Sequence, residues 1–367
     1  MYSKKKVLVA MSGGVDSSVT AKLLLDAGYE VAGATMHLYS NDDIGIERTK
    51  TCCSLDDVQD AREVAYKLGI PFHVFNFADC FKQCVMDKFV DTYLGGGTPN
   101  PCIDCNRYLK FGKFLERAQM LGFDYIATGH YVTKVRSEKN GRWLLKRSAD
   151  RKKDQTYVLY SMTQQQLEHS LFPVGEMNKN DIRAIADENS LVNAGKPDSQ
   201  DICFIPDGDY AGFIGRRTGK RYPAGDILDQ NGNTVGRHQG LLRYTIGQRR
   251  GLGFAAGEPR YVIGKNSVSN TLLIGPESAL YRRELLTSAF NWLSIPKPDA
   301  PIRAFARTRY HQREAACTVY PLPEDEVRIV FDEPQRAITP GQAVVLYREN
   351  MVLGGGTIKE LPNGMSE

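Results

Sequence analysis

The stretch Lys5-Lys6-Val7-Leu8-Val9-Ala10-Met11-Ser12-Gly13-Gly14-Val15-Asp16-Ser17-Ser18 decides the fold. Val7 to Met11 read as a buried strand. A helical period then starts at Val15 and runs through Val19, Leu23, Leu24 and Leu25. Between strand and helix, Gly13 and Gly14 can take backbone angles closed to other residues and let main-chain N–H groups approach an oxyanion. The dipole of the following helix adds partial positive charge at the same place. The segment has no GxxxxGK[ST], so no P-loop lysine reaches for a γ-phosphate. It has no GxGxxG either; Gly251 to Gly257 miss that pattern by one residue. A loop that holds phosphate without clamping the γ group suits a reaction in which pyrophosphate leaves and AMP is transferred. The competing reading is an ordinary tight turn with a Ser/Asp helix cap.

Outward from this loop, strand-like and helical runs alternate. Strands are expected at 7–11, 30–38, 72–77 and 125–128, with helices at 15–27, 55–68, 78–94 and 107–121. This alternation predicts an α/β fold, a parallel sheet with helices on both faces. Ligands of such sheets bind beyond the carboxyl ends of the strands. The opening loop lies at one such end, and Ala127-Thr128-Gly129-His130-Tyr131 lies at another. Helices are expected to continue from Gln155 to about Asn189. Near Pro206 the character changes, and β-branched residues, Gly and Pro become frequent. Three domains are expected. These are an α/β domain at 1–208, a small mixed or β domain at 209–277 and an antiparallel β-barrel at 278–361.

The chain has 367 residues and 42% hydrophobic content, enough for a sizeable core. No apolar run reaches a membrane span, and the N-terminal residues show no export signal. A cytoplasmic protein with no membrane partner is expected. The formal charge is only +4, but basic residues cluster at 146–153, 216–221, 243–250 and 303–313, interleaved with Tyr, His and Gln. Four such clusters point to a polyanion partner.

Eight cysteines in a cytoplasmic setting are expected to be mostly reduced. Cys80 and Cys84 are spaced i, i+4 on an expected helix and read as packing residues, as does Cys317 in an alternating strand. Cys52 and Cys53 match no chemistry beyond local packing. Cys102 and Cys105 follow two stiffening prolines in Thr98-Pro99-Asn100-Pro101-Cys102-Ile103-Asp104-Cys105-Asn106-Arg107. A cysteine just before a helix start, beside an arginine, is expected to have a depressed pKa. This CxxC reads equally as a redox pair, as half of a metal site or as a nucleophile with an incidental neighbour. There is no second CxxC to complete a four-cysteine zinc site. Cys203 sits in Asp201-Ile202-Cys203-Phe204-Ile205, an odd place for a packing cysteine.

Taken together, these motifs resemble the bacterial tRNA-specific 2-thiouridylases of the PP-loop ATP pyrophosphatase class. The resemblance rests on SGGVDSS at 12–18, TPNP…CN at 98–106, ATGHY at 127–131, KDQTY at 153–157, DICFI at 201–205, HQG at 238–240, TIGQRRGLG at 245–253, TRYHQ at 308–312, FDEP at 331–334 and TPGQ at 339–342. It covers nearly the whole chain. The first motif occurs in many PP-loop enzymes, whereas the ordered set is specific to this family.

The resemblance implies a tRNA-uridine 2-sulfurtransferase, with a PP-loop ATP-binding catalytic domain at 1–208 and tRNA-binding domains at 209–277 and 278–361. Such an enzyme adenylates the C2 oxygen of the wobble uridine in the anticodon arm with ATP and then transfers sulfur from a cysteine persulfide. Ala10, Met11, Ser12, Gly13, Gly14, Val15, Asp16 and Ser17 would cradle ATP, with Asp16 also holding Mg²⁺ beside the departing pyrophosphate. Met36 would contact the adenine, and Gly129 would lie in the ATP pocket. Cys105 matches the family nucleophile and Cys203 the persulfide carrier. Asn100, Pro101 and Cys102 would line the target-base pocket. His130, Lys153, Asp154, Gln155, Arg309, Tyr310 and Gln342 match tRNA-contact positions. A sulfur-relay protein or a cysteine desulfurase would be the donor.

One position departs from the best-known pattern, which has an aspartate where Cys102 stands. Three thiols, Cys102, Cys105 and Cys203, could then hold a [4Fe–4S] cluster with one open iron position. That alternative changes the sulfur chemistry but not the product. Other rivals are a PP-loop adenylating enzyme of a different tRNA or amide chemistry, which needs no paired thiols, and a non-catalytic tRNA-binding protein with a degenerate nucleotide fold.

Overall fold

A computed structural model describes residues 4–45, 55–197, 202–253 and 258–359. Its first region alternates β1 (Lys6–Ala10), α1 (Val15–Asp26), β2 (Glu30–His37), α2 (Leu55–Lys67) and β3 (Phe72–Asn76). Two longer helical stretches follow, α3 over 78–94 and α4 over 101–120, before β4 (Tyr125–Ala127). The sheet order is β3-β2-β1-β4 with every pairing parallel.

The sequence of β1 explains why both faces are covered. Val7, Val9 and Met11 pack into one apolar layer with Val19, Leu24, Ala61 and Val64 of α1 and α2. Leu8 and Ala10, pointing the other way, join Phe81, Phe89, Leu109 and Phe114 of α3 and α4. A strand buried on both faces needs an unbroken apolar run, which is what residues 7–11 supply. The order also places β1 between β2, which follows it, and β4, which enters from the other side. That reversal opens a crevice at the carboxyl ends of β1 and β4.

Both α3 and α4 contain a widened π-helical stretch, at Lys82–Asp87 and Cys105–Lys113. Such stretches are uncommon and often occur at functional sites. Cys80 and Cys84 lie on α3 with their sulfurs 3.8 Å apart, and Cys317 is fully buried in the barrel, so all three pack as expected.

Two parts of the first region differ from expectation. Residues 155–189 are not a run of helices. They form a 3₁₀ turn at Thr156–Leu159, a short helix at Gln164–Glu168, strand β7 at Ser170–Leu171, a second 3₁₀ turn at Pro173–Glu176, and then α5 (Lys179–Glu188). Thr163 and Asn178 each start a new helix with a capping box, and Pro173 begins the second turn, so the apolar period is cut repeatedly. β7 adds to the outer edge of the parallel sheet beside β4. Second, residues 132–147 form an unexpected hairpin of β5 (Val132–Arg136) and β6 (Trp143–Arg147).

The central region holds α6 (Tyr210–Thr218) and a small mixed sheet. Its strands are β8 (Gly225–Leu228), β9 (Thr234–His238), β10 (Tyr261–Asn266) and β11 (Thr271–Gly275), ordered β10-β11-β8-β9. The last region is β12 (Tyr281–Trp292), β13 (Ile302–Arg307), β14 (Ala315–Pro321), β15 (Val327–Arg336), β16 (Ala343–Arg348) and β17 (Met351–Ile358). Each pairs antiparallel with its neighbours, and β12 pairs with β17 to close the barrel. The hairpin from the first region attaches to this barrel through β6, where Lys146 pairs with Met351.

Charge holds that seam together. Arg147 on β6 and Arg307 at the end of β13 lie on the Tyr347 ring, 4.2 and 5.3 Å from its centroid. Both guanidinium groups pair with Glu314, and Arg307 also reaches Asp154 at 4.0 Å. These side chains are mostly buried, so removing one partner strands a charge away from water. Glu314→Ala should therefore cost about 3 kcal/mol. A thermal or denaturant melt that moves by no more than an exposed-pair deletion would refute this role of the seam.

Candidate active site

The loop after β1 departs from an ordinary capped turn. Gly14 is the N-cap of α1, and no side chain caps that end. The loop hydroxyls turn inward instead. Ser17 Oγ donates to Gly14 O at 2.9 Å and accepts from Ser12 N, and Ser18 Oγ donates to Gly14 O. The first turn of a 12-residue helix thus lacks a protein cap, which is what an anion site needs.

The neighbours hold this loop in shape. Gly13 has φ +75°, and a Cβ there would lie 2.5 Å from Asp57 O at the start of α2. Gly129, beyond β4, packs against the Asp16–Ser17 peptide so closely that a Cβ would fall 2.8 Å from it. A side chain at either glycine would push the loop apart. Thr35 Oγ1 donates to Met11 O at 2.7 Å, and buried Met36 follows it on β2. Ala10 to Ser17, Met36 and Gly129 therefore do gather at the carboxyl ends of adjacent strands.

Three residues that sequence reasoning did not single out complete this neighbourhood. Asn193 Nδ2 donates to Gly13 O and Ser18 Oγ at 3.0 and 2.8 Å. Tyr131 OH donates to Asp16 Oδ1 at 2.6 Å. Lys179 Nζ donates to the same oxygen at 2.7 Å, and its residue is 8% exposed. Tyr131 was visible as the last residue of ATGHY. Lys179 and Asn193 lie more than 160 residues beyond the loop in ordinary local sequence, so their approach is purely tertiary.

The thiols lie on the other face of the sheet. Cys102 is in the first turn of α4 and exposed, and Cys105 begins the π-helical stretch. Cys105 is thus inside the helix, not before it, which corrects the expected depressed pKa. The residue keeps some surface, but its thiol is enclosed, and burial pushes that thiol up to about 11. Lys110 pulls it down less than burial raises it, and Cys102 and Asp104 push the same way as burial. Cys203 packs on the same apolar cluster as Cys105. Its carbonyl accepts from Tyr39 OH at 2.5 Å, just beyond β2, and Phe204 packs against Phe81 and Phe89 of α3. Among the described residues, no three His, Cys, Asp or Glu side chains come together to hold a metal. Cys102, Cys105 and Cys203 do not fit a [4Fe–4S] cluster in this arrangement. Cys52 and Cys53 lie outside the described residues.

Residues 5–207 match the family model described as the tRNA methyl transferase HUP domain, residues 211–276 its PRC-barrel domain, and residues 282–358 the aminomethyltransferase beta-barrel domain. The chain is 49% identical over 360 residues to the tRNA-specific 2-thiouridylase MnmA of Clostridioides difficile, covering 98% of this chain and 99% of that one. It is 50% identical to the enzyme of the same name from Acetivibrio thermocellus, covering 97% and 100%, and 51% identical to that from Symbiobacterium thermophilum, covering 98% and 93%. The chain belongs to the tRNA-specific 2-thiouridylase family.

Several positions that the family resemblance marks for tRNA contact are engaged inside this family member. His130 is 7% exposed, shares a hydrogen bond of 2.8 Å with Thr128 Oγ1, and packs on Phe111. Burial holds its pKa well below the usual histidine value, so the ring is neutral at pH 7. Asp154 is buried and accepts from Thr156 Oγ1 and Ser148 N. Gln155 Oε1 accepts from Tyr131 N, and Tyr310 OH donates to Asp154 O. Arg309 donates to Ile246 O, Ala337 O and Thr339 Oγ1, tying the barrel to the central region. Gln342 Nε2 donates to Thr98 O at 2.9 Å, and Thr98 N donates to Pro340 O. The barrel thereby holds the Thr98–Pro101 segment that carries Asn100, Pro101 and Cys102. Lys153 is half-buried in the loop before Asp154.

The basic clusters divide in the same way. In the 303–313 cluster, Arg303 is paired with Asp332, Arg307 with Glu314, and Arg309 with main-chain carbonyls. Arg216, Lys220, Arg221, Arg249 and Arg250 are exposed.

The state of Cys105 gives a direct test. Its raised pKa keeps the thiol protonated at neutral pH, and the thiolate is the reactive form. The alkylation rate of Cys105 should climb about tenfold per pH unit from pH 7 towards about 11. Peptide mass mapping after timed iodoacetamide treatment reads this. A rate that levels off near pH 8 would show an activated thiol and contradict the burial argument.

Proposed function

We propose that this protein thiolates C2 of the wobble uridine of tRNA at the expense of ATP. The observation that carries the proposal is the conjunction of an uncapped, lysine-free phosphate loop with cysteines that pack on one core cluster of the same domain. An adenylating fold without thiols would serve amide or amine chemistry. Thiols without the loop would serve redox chemistry. Family membership joins the two.

ATP would sit with its phosphates at the N-terminus of α1 and its adenine towards Met36. Asp16, the carboxylate of the loop, suits a hard cation such as Mg²⁺, which would offset the charge of the departing pyrophosphate. The C2 oxygen of uridine is a poor leaving group until it attacks the α-phosphorus, expels pyrophosphate and becomes an adenylate. Cys203 would carry a sulfane sulfur, delivered by a cysteine desulfurase or a sulfur-relay protein. The terminal sulfur of that persulfide attacks C2, and AMP leaves. Cys105, as thiolate, attacks Cys203 Sγ, which breaks the S–S bond, leaves the terminal sulfur on the base, and forms a Cys105–Cys203 disulfide. An external dithiol then restores both thiols. The high pKa of Cys105 keeps it quiet until substrate changes its surroundings.

The tRNA would lie against the exposed basic residues of the central region, with the anticodon loop reaching Asn100, Pro101 and Cys102. Gln342 and Arg309 serve that binding by holding the segments that shape the pocket. Among the described residues no helix is long and apolar enough to cross a membrane.

Nucleoside mass analysis of tRNA incubated with ATP, the protein, a dithiol and a cysteine desulfurase with its cysteine substrate as persulfide donor should show oxygen-to-sulfur exchange at the wobble uridine, and an unchanged mass would sink the proposal. Cys203→Ser should abolish thiolation from a persulfide donor while tRNA-dependent ATP–pyrophosphate exchange persists. Loss of both together would remove Cys203 from the carrier role. Replacing Arg249 and Arg250 by alanine should weaken tRNA binding and lower its logarithmic salt slope by about 1 to 2. An unchanged slope would move the RNA to another face.

A further inference from the structure

Cys105 must act as a thiolate to resolve the persulfide, yet its surroundings oppose that form. Burial raises the thiol, and Cys102 and Asp104 on α4 and Cys80 on α3 push the same way. The cations around it are mostly committed elsewhere. Lys88 of α3 lies 2.5 Å from Asp104 Oδ1, Lys113 pairs with Glu116 at 2.9 Å, and the Arg107 guanidinium lies over the Tyr108 ring. Lys110 is the exception. Among the described residues no carboxylate pairs with it, and it is half-buried between Leu109 and Phe111, both of which are fully buried.

Helix geometry turns this lysine towards the sulfur. Cys105 opens the π-helical stretch, and Lys110 lies five residues on within it. At about 3.6 residues per turn, residues five apart point about 140° away from each other. A π-helix closes its hydrogen bonds between i and i+5 instead, so residue 110 stands one turn above residue 105 on the same side. The next residue, Phe111, packs on the His130 ring beyond β4 with centroids 5.7 Å apart. The Lys110 charge is felt at both places. It offsets part of the burial effect at Cys105, and it adds to burial in keeping His130 neutral.

We propose that Lys110 is the cation that supports Cys105 as a thiolate, set against the sulfur by the widened helical turn, so that Cys105 can break its bond-forming partner Cys203 away from the transferred sulfur. The role rests on the thiolation reading above. The Cys105 proton leaves to solvent. The thiolate attacks Cys203 Sγ, and the electron pair of the broken S–S bond leaves with the sulfur already bonded to C2. Lys110 forms no bond and gives up no proton. It lowers the cost of negative charge at one enclosed sulfur, where a single ammonium counts for more than it would in water. An α-helical turn would carry the lysine round to another face, so the π-helical stretch has a use in the chemistry.

Timed alkylation of the full chain by iodoacetamide between pH 7 and 10, without ATP or tRNA and read by peptide mass mapping, tests the charge. Lys110→Met should lower the Cys105 rate about three- to tenfold at every pH in that range, through the thiolate fraction lost with one nearby charge. Lys110→Gln keeps a polar head without the charge and should fall by the same factor. Lys110→Arg keeps the charge and should stay within about twofold of wild type. A lysine that only fills space would, once replaced, leave Cys105 equally or more reactive, and that result in Lys110→Gln would overturn the proposal. A loss in Lys110→Arg as large as in Lys110→Gln would overturn it too. A wild-type protein that does not thiolate tRNA would overturn the reading on which the role rests, a failure that alkylation without either substrate does not share.

Discussion

Everything at the candidate site depends on how closely three pieces of chain approach at the carboxyl end of β1. Gly13 meets the start of α2, and Gly129 meets the Asp16–Ser17 peptide, with no room for a Cβ at either contact. This approach presses the loop into one shape. Its serine hydroxyls are turned onto its own backbone, and the N-terminus of α1 is left without a protein cap. Exposed main-chain donors at a helix start are costly unless solvent or a ligand satisfies them. The packing therefore leaves the start of α1 without a side-chain cap as a by-product of bringing β1, β4 and α2 together.

The second organising feature is the use of polar side chains as domain ties. Glu314, Arg147, Arg307 and Asp154 bind the β5–β6 hairpin to the barrel around Tyr347. Arg309 binds the barrel to the central region, and Gln342 binds it to Thr98. The barrel is thus part of the scaffold of the N-terminal α/β region. A segment such as Thr98–Pro101, rich in proline and lacking regular hydrogen bonds of its own, needs that outside support to keep a fixed shape. The same ties engage polar groups of Asp154, Gln155, Arg309, Tyr310 and Gln342 in hydrogen bonds within the fold.

The parallel sheet was legible because β1 carries an apolar run suited to two covered faces, and because helical and strand periods alternate cleanly to residue 130. The barrel was legible from its alternation. Residues 155–189 were misread because their apolar spacing is helical only piecewise, and the caps at Thr163 and Asn178 outweigh the period. The hairpin at 132–147 escaped notice because β6 draws its stability from Met351 and Ser294, some 150 to 200 residues away. Cys105 was placed before a helix start, but α4 begins at Pro101. Burial then dominates the dipole, and the thiol is raised instead of lowered.

By itself, the sequence determined the α/β architecture, the place of the glycine-containing loop after β1 and the identity of the thiols, because those depend on local period, glycine freedom and residue chemistry. It also determined that the loop has no lysine. Only the tertiary structure decided that a lysine is present there all the same. Lys179 reaches Asp16 because α5 packs against α1, and no local pattern in either segment encodes that meeting. Charge compensation acts through a few ångströms of space, so it can join residues separated by any length of chain. Pattern reading, which sees only neighbours in sequence, has no access to it.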